Sequence, residues 1–174
     1  MSDRFPGALR LSWRVLRTLR ILNFAAGGAI AALLMASLLA PDALFAALGV
    51  RPASDAGRLE RGMRLIMLAG IIAVPVSHVI LARLLAIVAT VREGDPFVRE
   101  NGHRLQAIAW AVLGLEALHL VIGVIAAGSA SSVQPLDIDW HFSVTPWVAV
   151  LLLFVLARVF DHGARMRADL EGTV

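Results

Sequence analysis

The chain reads as four long apolar runs separated by short charged stretches. Ile21 to Ala40 holds twenty residues without a charge, preceded by Arg20. Leu65 to Ala82 follows, bounded by Arg64 and Arg83 and broken only by Pro75, Ser77 and His78. The apolar pattern continues past Arg83 through Leu84 to Val91. A third run goes from Leu105 to Ala127 and contains Glu116 and His119, and a fourth goes from Ser143 to Phe160. A bilayer crossing takes about 20 apolar residues, so each run is long enough to span. The runs are continuous and rich in Ala and Leu rather than alternating, which disfavours membrane strands. The pattern therefore predicts an all-α integral membrane bundle of four transmembrane helices, at 21–40, 65–83 extending to 91, 105–127 and 143–160. A helix from Leu65 to Val91 is about 40 Å long against a hydrocarbon core of roughly 30 Å, so its end should project, with Arg83 reaching for the headgroups.

Composition agrees: 59% of the 174 residues are hydrophobic, 17% are charged, and the mean hydropathy is +0.78. Soluble domains run nearer 45–50% apolar and about 25% charged. The length suits a single membrane domain, 1–174. There is no cysteine, which removes disulfides, thiolate nucleophiles, iron–sulfur ligation and covalent haem attachment. A cleavable signal peptide is the rival reading of the first run, but its apolar part is too long and cleavage after Ala40 would leave Pro41 next. A retained first helix is expected.

All sixteen basic residues are arginine, and their distribution predicts orientation. Five precede the first run, four follow the second (Arg83, Arg92, Arg99 and Arg104) and three lie in the tail (Arg158, Arg165 and Arg167). With four crossings these twelve share one side, against four on the other: Arg51, Arg58, Arg61 and Arg64. The positive-inside rule then places both termini in the cytoplasm. Trp140 and Trp147 flank the outer end of the fourth run, where an aromatic belt belongs. Residues 9–20 wind as a short basic amphipathic helix, with Arg10, Arg14, Arg17 and Arg20 on one side and Leu11, Val15, Leu16 and Leu19 on the other. Such a segment suits an anionic lipid interface or an ordinary topogenic flank. It is too short a patch for direct nucleic-acid binding.

The stretch between the second and third runs has the chemistry of a tight hairpin. Gly94 can close one helix in the left-handed conformation, and Asp95 can cap the next with Pro96 at its first position. Glu100 and Arg104 then stand four apart as a favourable pair. Thr145 and Pro146 make a comparable start for the fourth helix.

The block VREGDPFVRENGHRLQAIAW, together with LARVFDHGARMRADLEGTV at the C-terminus, resembles the bacterial domain-of-unknown-function family 2975. The matching residues are Gly94, Pro96, Phe97, Asn101, Arg104 and Leu105, then Arg158, Phe160, Gly163 and Thr173–Val174, with Asp161 and Arg165 in the same closing segment. The resemblance implies four membrane helices and a bacterial inner-membrane location, and it implies no catalytic residues. Some such genes lie beside small helix-turn-helix regulators, which implies a membrane partner for a transcription factor.

Other motifs are weaker. Glu116 and His119 have the Glu-x-x-His spacing of di-iron helices, but such centres need two of these motifs and further carboxylates. His78 and His119 could supply both axial ligands of a non-covalent haem. The plainer reading is a buried polar cluster of His78, Glu116 and His119 that orders the bundle through a hydrogen bond between the second and third helices. Gly27 and Gly28, with Ala31 and Ala32, read as a close helix-packing surface. Pro75 should bend the second helix. No hydrolase, zinc-protease or phosphate-loop motif is present.

The leading expectation is a small non-enzymatic membrane protein without cofactor or metal. It acts through its cytoplasmic face as a sensor or docking partner, in contact with lipid and a cytoplasmic protein, and can self-associate. The alternative is an intramembrane cofactor or metal binder using His78, Glu116 and His119. A small transporter is the third reading.

Overall fold

The computed structural model describes residues 5–49, 56–129 and 143–171, and within them it is helical with no strand. Five helices follow in order: α1 Phe5–Leu39, α2 Pro41–Ala47, α3 Ala56–Arg92, α4 Arg99–Ser129 and α5 Thr145–Glu171. All but α2 are long and apolar enough to cross a membrane, the architecture of a multi-pass membrane protein. Their apolar side chains point outward as a bilayer requires: Val124, Leu151, Leu152 and Val155 are all exposed. Asp137, Asp139, Trp140, Arg51 and the Thr173–Val174 ending lie outside the described residues.

Helical winding extends past each apolar run. The basic segment at 9–20 is helical and passes without a break into the first crossing, because no Gly or Pro stands between Leu9 and Gly27 to stop it. Within it the Arg17 guanidinium lies 5.4 Å from the centre of the Trp13 ring. α3 begins at Ala56 rather than at the first uncharged residue and continues through Pro75. At 37 residues it is about 55 Å long, so it must exceed the hydrocarbon core. α2 is an element that the apolar pattern did not indicate. Pro41 starts it at a position where the missing N–H costs nothing, and Gly49, at φ +76°, ends it.

The chain forms two compact units. One comprises residues 1–23, 76–114 and 143–174, and the other residues 24–75 and 115–142. In the second, α1 and α3 meet across glycine. A Cβ on Gly27 would stand 2.7 Å from a Val74 methyl, and one on Gly70 would stand 3.2 Å from Ile30. Gly28, its neighbour in the expected packing surface, has nothing within 4 Å and takes no part. Arg64 donates to the Ser37 carbonyl at 2.7 Å, satisfying one of the orphan acceptors in the last turn of α1, and lies 5.6 Å from the Phe45 ring of α2.

Candidate functional site

The first unit contains a hairpin whose turn is specified residue by residue. Gly94 has φ +87°, the left-handed conformation that glycine alone adopts without cost. Its N–H reaches the Val91 carbonyl at 3.2 Å, and the Asp95 N–H reaches Thr90 at 3.1 Å. This pair of bonds is a Schellman closure, and it satisfies the last carbonyls of α3.

Asp95 does not cap the next helix, contrary to expectation. Residues 95–98 belong to no helix and α4 begins at Arg99, so Asp95 is too far back to cap it and Pro96 is not its first residue. The Asp95 N–H is already held by α3, and the carboxylate instead accepts a bond from Arg167 of α5 at 2.5 Å. The Glu100–Arg104 pair is replaced in the same way. Arg104 donates to Asn101 Oδ1 at 2.8 Å and to the Ala86 carbonyl of α3 at 3.4 Å, turning inward. The fourth-helix start shifts by one residue: Val144 supplies the first carbonyl acceptor, to Val148, and Thr145 stands inside the helix.

Asn101 is the centre of this arrangement. It is fully buried, and its amide nitrogen donates to both Thr90 Oγ1 and the Pro96 carbonyl at 2.8 Å. Thr90 in turn donates to the Ile87 carbonyl at 2.8 Å. One side chain thus ties the end of α3, the connecting turn and the start of α4 into a single register. A buried amide is stable only when satisfied this fully.

α5 crosses the hairpin at three levels. Gly102 meets it backbone to backbone, since a Cβ there would stand 3.2 Å from the Ala157 carbonyl and 3.4 Å from the Asp161 nitrogen. Phe97 packs on Phe160 with ring centres 5.4 Å apart, and Gly163 leaves room for it. Asp95 and Arg167 form the third contact at the exposed edge. Along α5, Asp161 and Arg165 form an ion pair one turn apart.

A family model described as "Protein of unknown function (DUF2975)" matches residues 29–174. The chain belongs to that family. No curated protein and no solved structure matches the chain. The DUF2975 match takes in most of both compact units, including the whole hairpin and α5, and leaves out the first 28 residues.

The two sequence blocks that carry the family resemblance are therefore one place in three dimensions. Gly94, Asp95, Pro96, Phe97, Asn101 and Arg104 share a unit with Arg158, Asp161, Gly163 and Arg165. Sequence reasoning missed Thr90, Gly102 and Arg167. A glycine in the charged first turns of a long helix was the available signal for Gly102, because glycine there costs stability unless a backbone approaches. The other candidate residues fall in different units. His78 lies half-buried in this unit, whereas Glu116, half-buried, and His119, exposed, lie in the other. No hydrogen bond joins Glu116 to His119, and among the described residues no group of three or more His, Cys, Asp or Glu side chains could hold a metal ion.

Proposed function

We propose that this is a non-enzymatic protein of the bacterial cytoplasmic membrane, and that its hairpin and α5 form a docking or sensing surface for a cytoplasmic protein. The observation that carries the reading is a rigid scaffold presenting an adhesive rim. Asn101 locks the turn, α5 is packed across it, and Phe97, 46% exposed, borders one recess with Arg99, Arg165 and Arg167, while Met166, between those last two in the chain, is 55% exposed. Aromatic residues, Met and Arg are the types enriched in protein interfaces. The non-enzymatic reading is supported by the use of the polar groups here: the Asn101 amide and Arg104 guanidinium serve the backbone and each other. Cytoplasmic placement of this face, and of both termini, is supported by twelve of sixteen arginines falling on its side of a four-crossing chain. A small helix-turn-helix regulator is the partner class that the family resemblance favours.

A photo-crosslinking residue placed at Met166 in living cells tests this. The expected result is a discrete adduct with a cytoplasmic protein, lost in the Phe97→Glu chain, with no such adduct from a probe at exposed Leu22. Absence of a protein adduct at Met166, or one indifferent to Phe97→Glu, overturns the reading.

A further inference from the structure

Between α4 and α5 lies a cleft of about 480 Å³, within the range of small-molecule sites. Gly102 brings the two backbones together at its floor. Its polar rim is formed by His103 and Gln106, one turn apart on α4, and by Arg158 of α5. Arg158 and Gln106 make no hydrogen bond or ion pair among the described residues. Asp161 also borders the cleft, but its carboxylate is bonded to Arg165, which offsets its charge. The remaining wall is apolar, made of Phe154 and Val155. It continues along α5 onto Leu151 and Leu152, 65% and 63% exposed, while the Trp110 and Phe154 rings pack edge to face with centres 5.4 Å apart.

The order of these groups along the helices matters. Arg158 ends the uncharged stretch Trp147–Ala157, and Gln106 stands beside Leu105, where the apolar run of α4 begins. Cation and amide donors thus sit at the polar end of a crossing segment, and the apolar wall leads from them along it. A ligand that satisfies both parts has an anionic head and a long hydrocarbon tail.

We propose that this cleft holds an anionic phospholipid. Its phosphate is bonded by the Arg158 guanidinium, the Gln106 amide and a His103 ring N–H, and its acyl chain lies along Phe154 and Val155. Guanidinium–phosphate bonds are charge-assisted, and the choline cation of a zwitterionic lipid would stand near Arg158 and repel it, so the net head-group charge is what the site reads. A free phosphate would use the rim and leave the wall unoccupied. The inference is independent of the docking surface, which lies at the Phe97–Arg167 edge.

The full-length protein, titrated in detergent with phosphatidylglycerol or phosphatidylcholine, tests it by counting bound lipids with native mass spectrometry. The first phosphatidylglycerol should bind about tenfold more tightly than phosphatidylcholine, the order expected when the choline charge offsets one charge-assisted contact. Arg158→Gln should abolish the preference, Arg158→Lys should keep most of it, and Arg61→Gln, at an exposed arginine bonded within its own helix, should leave it unchanged. Millimolar inorganic phosphate should not displace the lipid. The proposal is overturned by no preference in the parent chain, by a preference surviving Arg158→Gln, by Lys performing no better than Gln, or by displacement with inorganic phosphate.

Discussion

In the unit that carries the hairpin, the helices meet through directional contacts: an amide with three partners, a glycine against a backbone carbonyl, a tilted aromatic pair and a cross-helix ion pair. In the unit formed by residues 24–75 and 115–142, α1 and α3 meet chiefly by shape, glycine against Val74 and Ile30. Its main polar tie, Arg64 to Ser37, closes a helix end rather than setting the register of two helices. The difference is one of information. A hydrogen bond to a buried amide fixes angle and position, whereas apolar contact rewards any arrangement that fills space. The two units should therefore respond differently to substitution.

The largest effect belongs to Asn101→Leu. It removes a fully buried amide and the bonds it makes to half-buried Thr90, Pro96 and Arg104, so about 3 kcal/mol of stability should be lost in a detergent unfolding titration. A loss below about 1 kcal/mol would show that the network is not what holds the hairpin. Next comes Gly27→Ala, whose new methyl collides with a stiff β-branched neighbour and should cost about 2 kcal/mol. Because the obstacle is a side chain, Val74→Ala in the same molecule should recover much of that loss. Gly28→Ala, with open space around it, serves as the control and should change little.

Gly102→Ala should cost about 1 kcal/mol, since its nearest neighbours are backbone atoms at 3.2 and 3.4 Å that must give only a few tenths of an ångström. Here trimming a facing side chain brings no recovery, because none is the obstacle. If Gly102 were rescued and Gly27 were not, the contrast between the units would be reversed. The smallest effect is at the exposed edge. Asp95→Ala, Arg167→Ala and the double variant should give a coupling of about 0.5 kcal/mol that fades in high salt, as an exposed ion pair does. A salt-independent loss shared equally with Asp95→Asn would point to some other role for this carboxylate.

The hairpin shows where local reading succeeds and where it fails. Gly94 was legible because a glycine just after an apolar-periodic run meets a requirement of one residue, positive φ. Asp95 and Pro96 resemble a helix start equally well in isolation. Arg167, 72 residues away in the chain, takes the carboxylate, and the turn extends to Val98 before α4 begins. Arg104 was read as the partner of Glu100 because the spacing allows it, yet a buried amide one turn back outcompetes an exposed carboxylate. For Glu116 and His119, Glu-x-x-His spacing puts two side chains one turn apart, and spacing alone places no third group beside them.

Hydropathy by itself determined the four crossings, the all-helical class and the uncharged surfaces facing outward. A bilayer penalises every unpaired backbone group, so an apolar run of sufficient length has helix as its only isolated solution. The family blocks and the glycine closure at 94 were equally readable. Only the tertiary structure decided which polar groups meet: Asn101 with Thr90, Asp95 with Arg167, Gly102 with Ala157, and the Arg158 cleft. Those partners stand 11 and 72 residues apart in the first two cases, and each donor had nearer acceptors in sequence. Helix crossings bring distant positions within hydrogen-bond reach, and burial then selects among them by the cost of leaving any one unsatisfied.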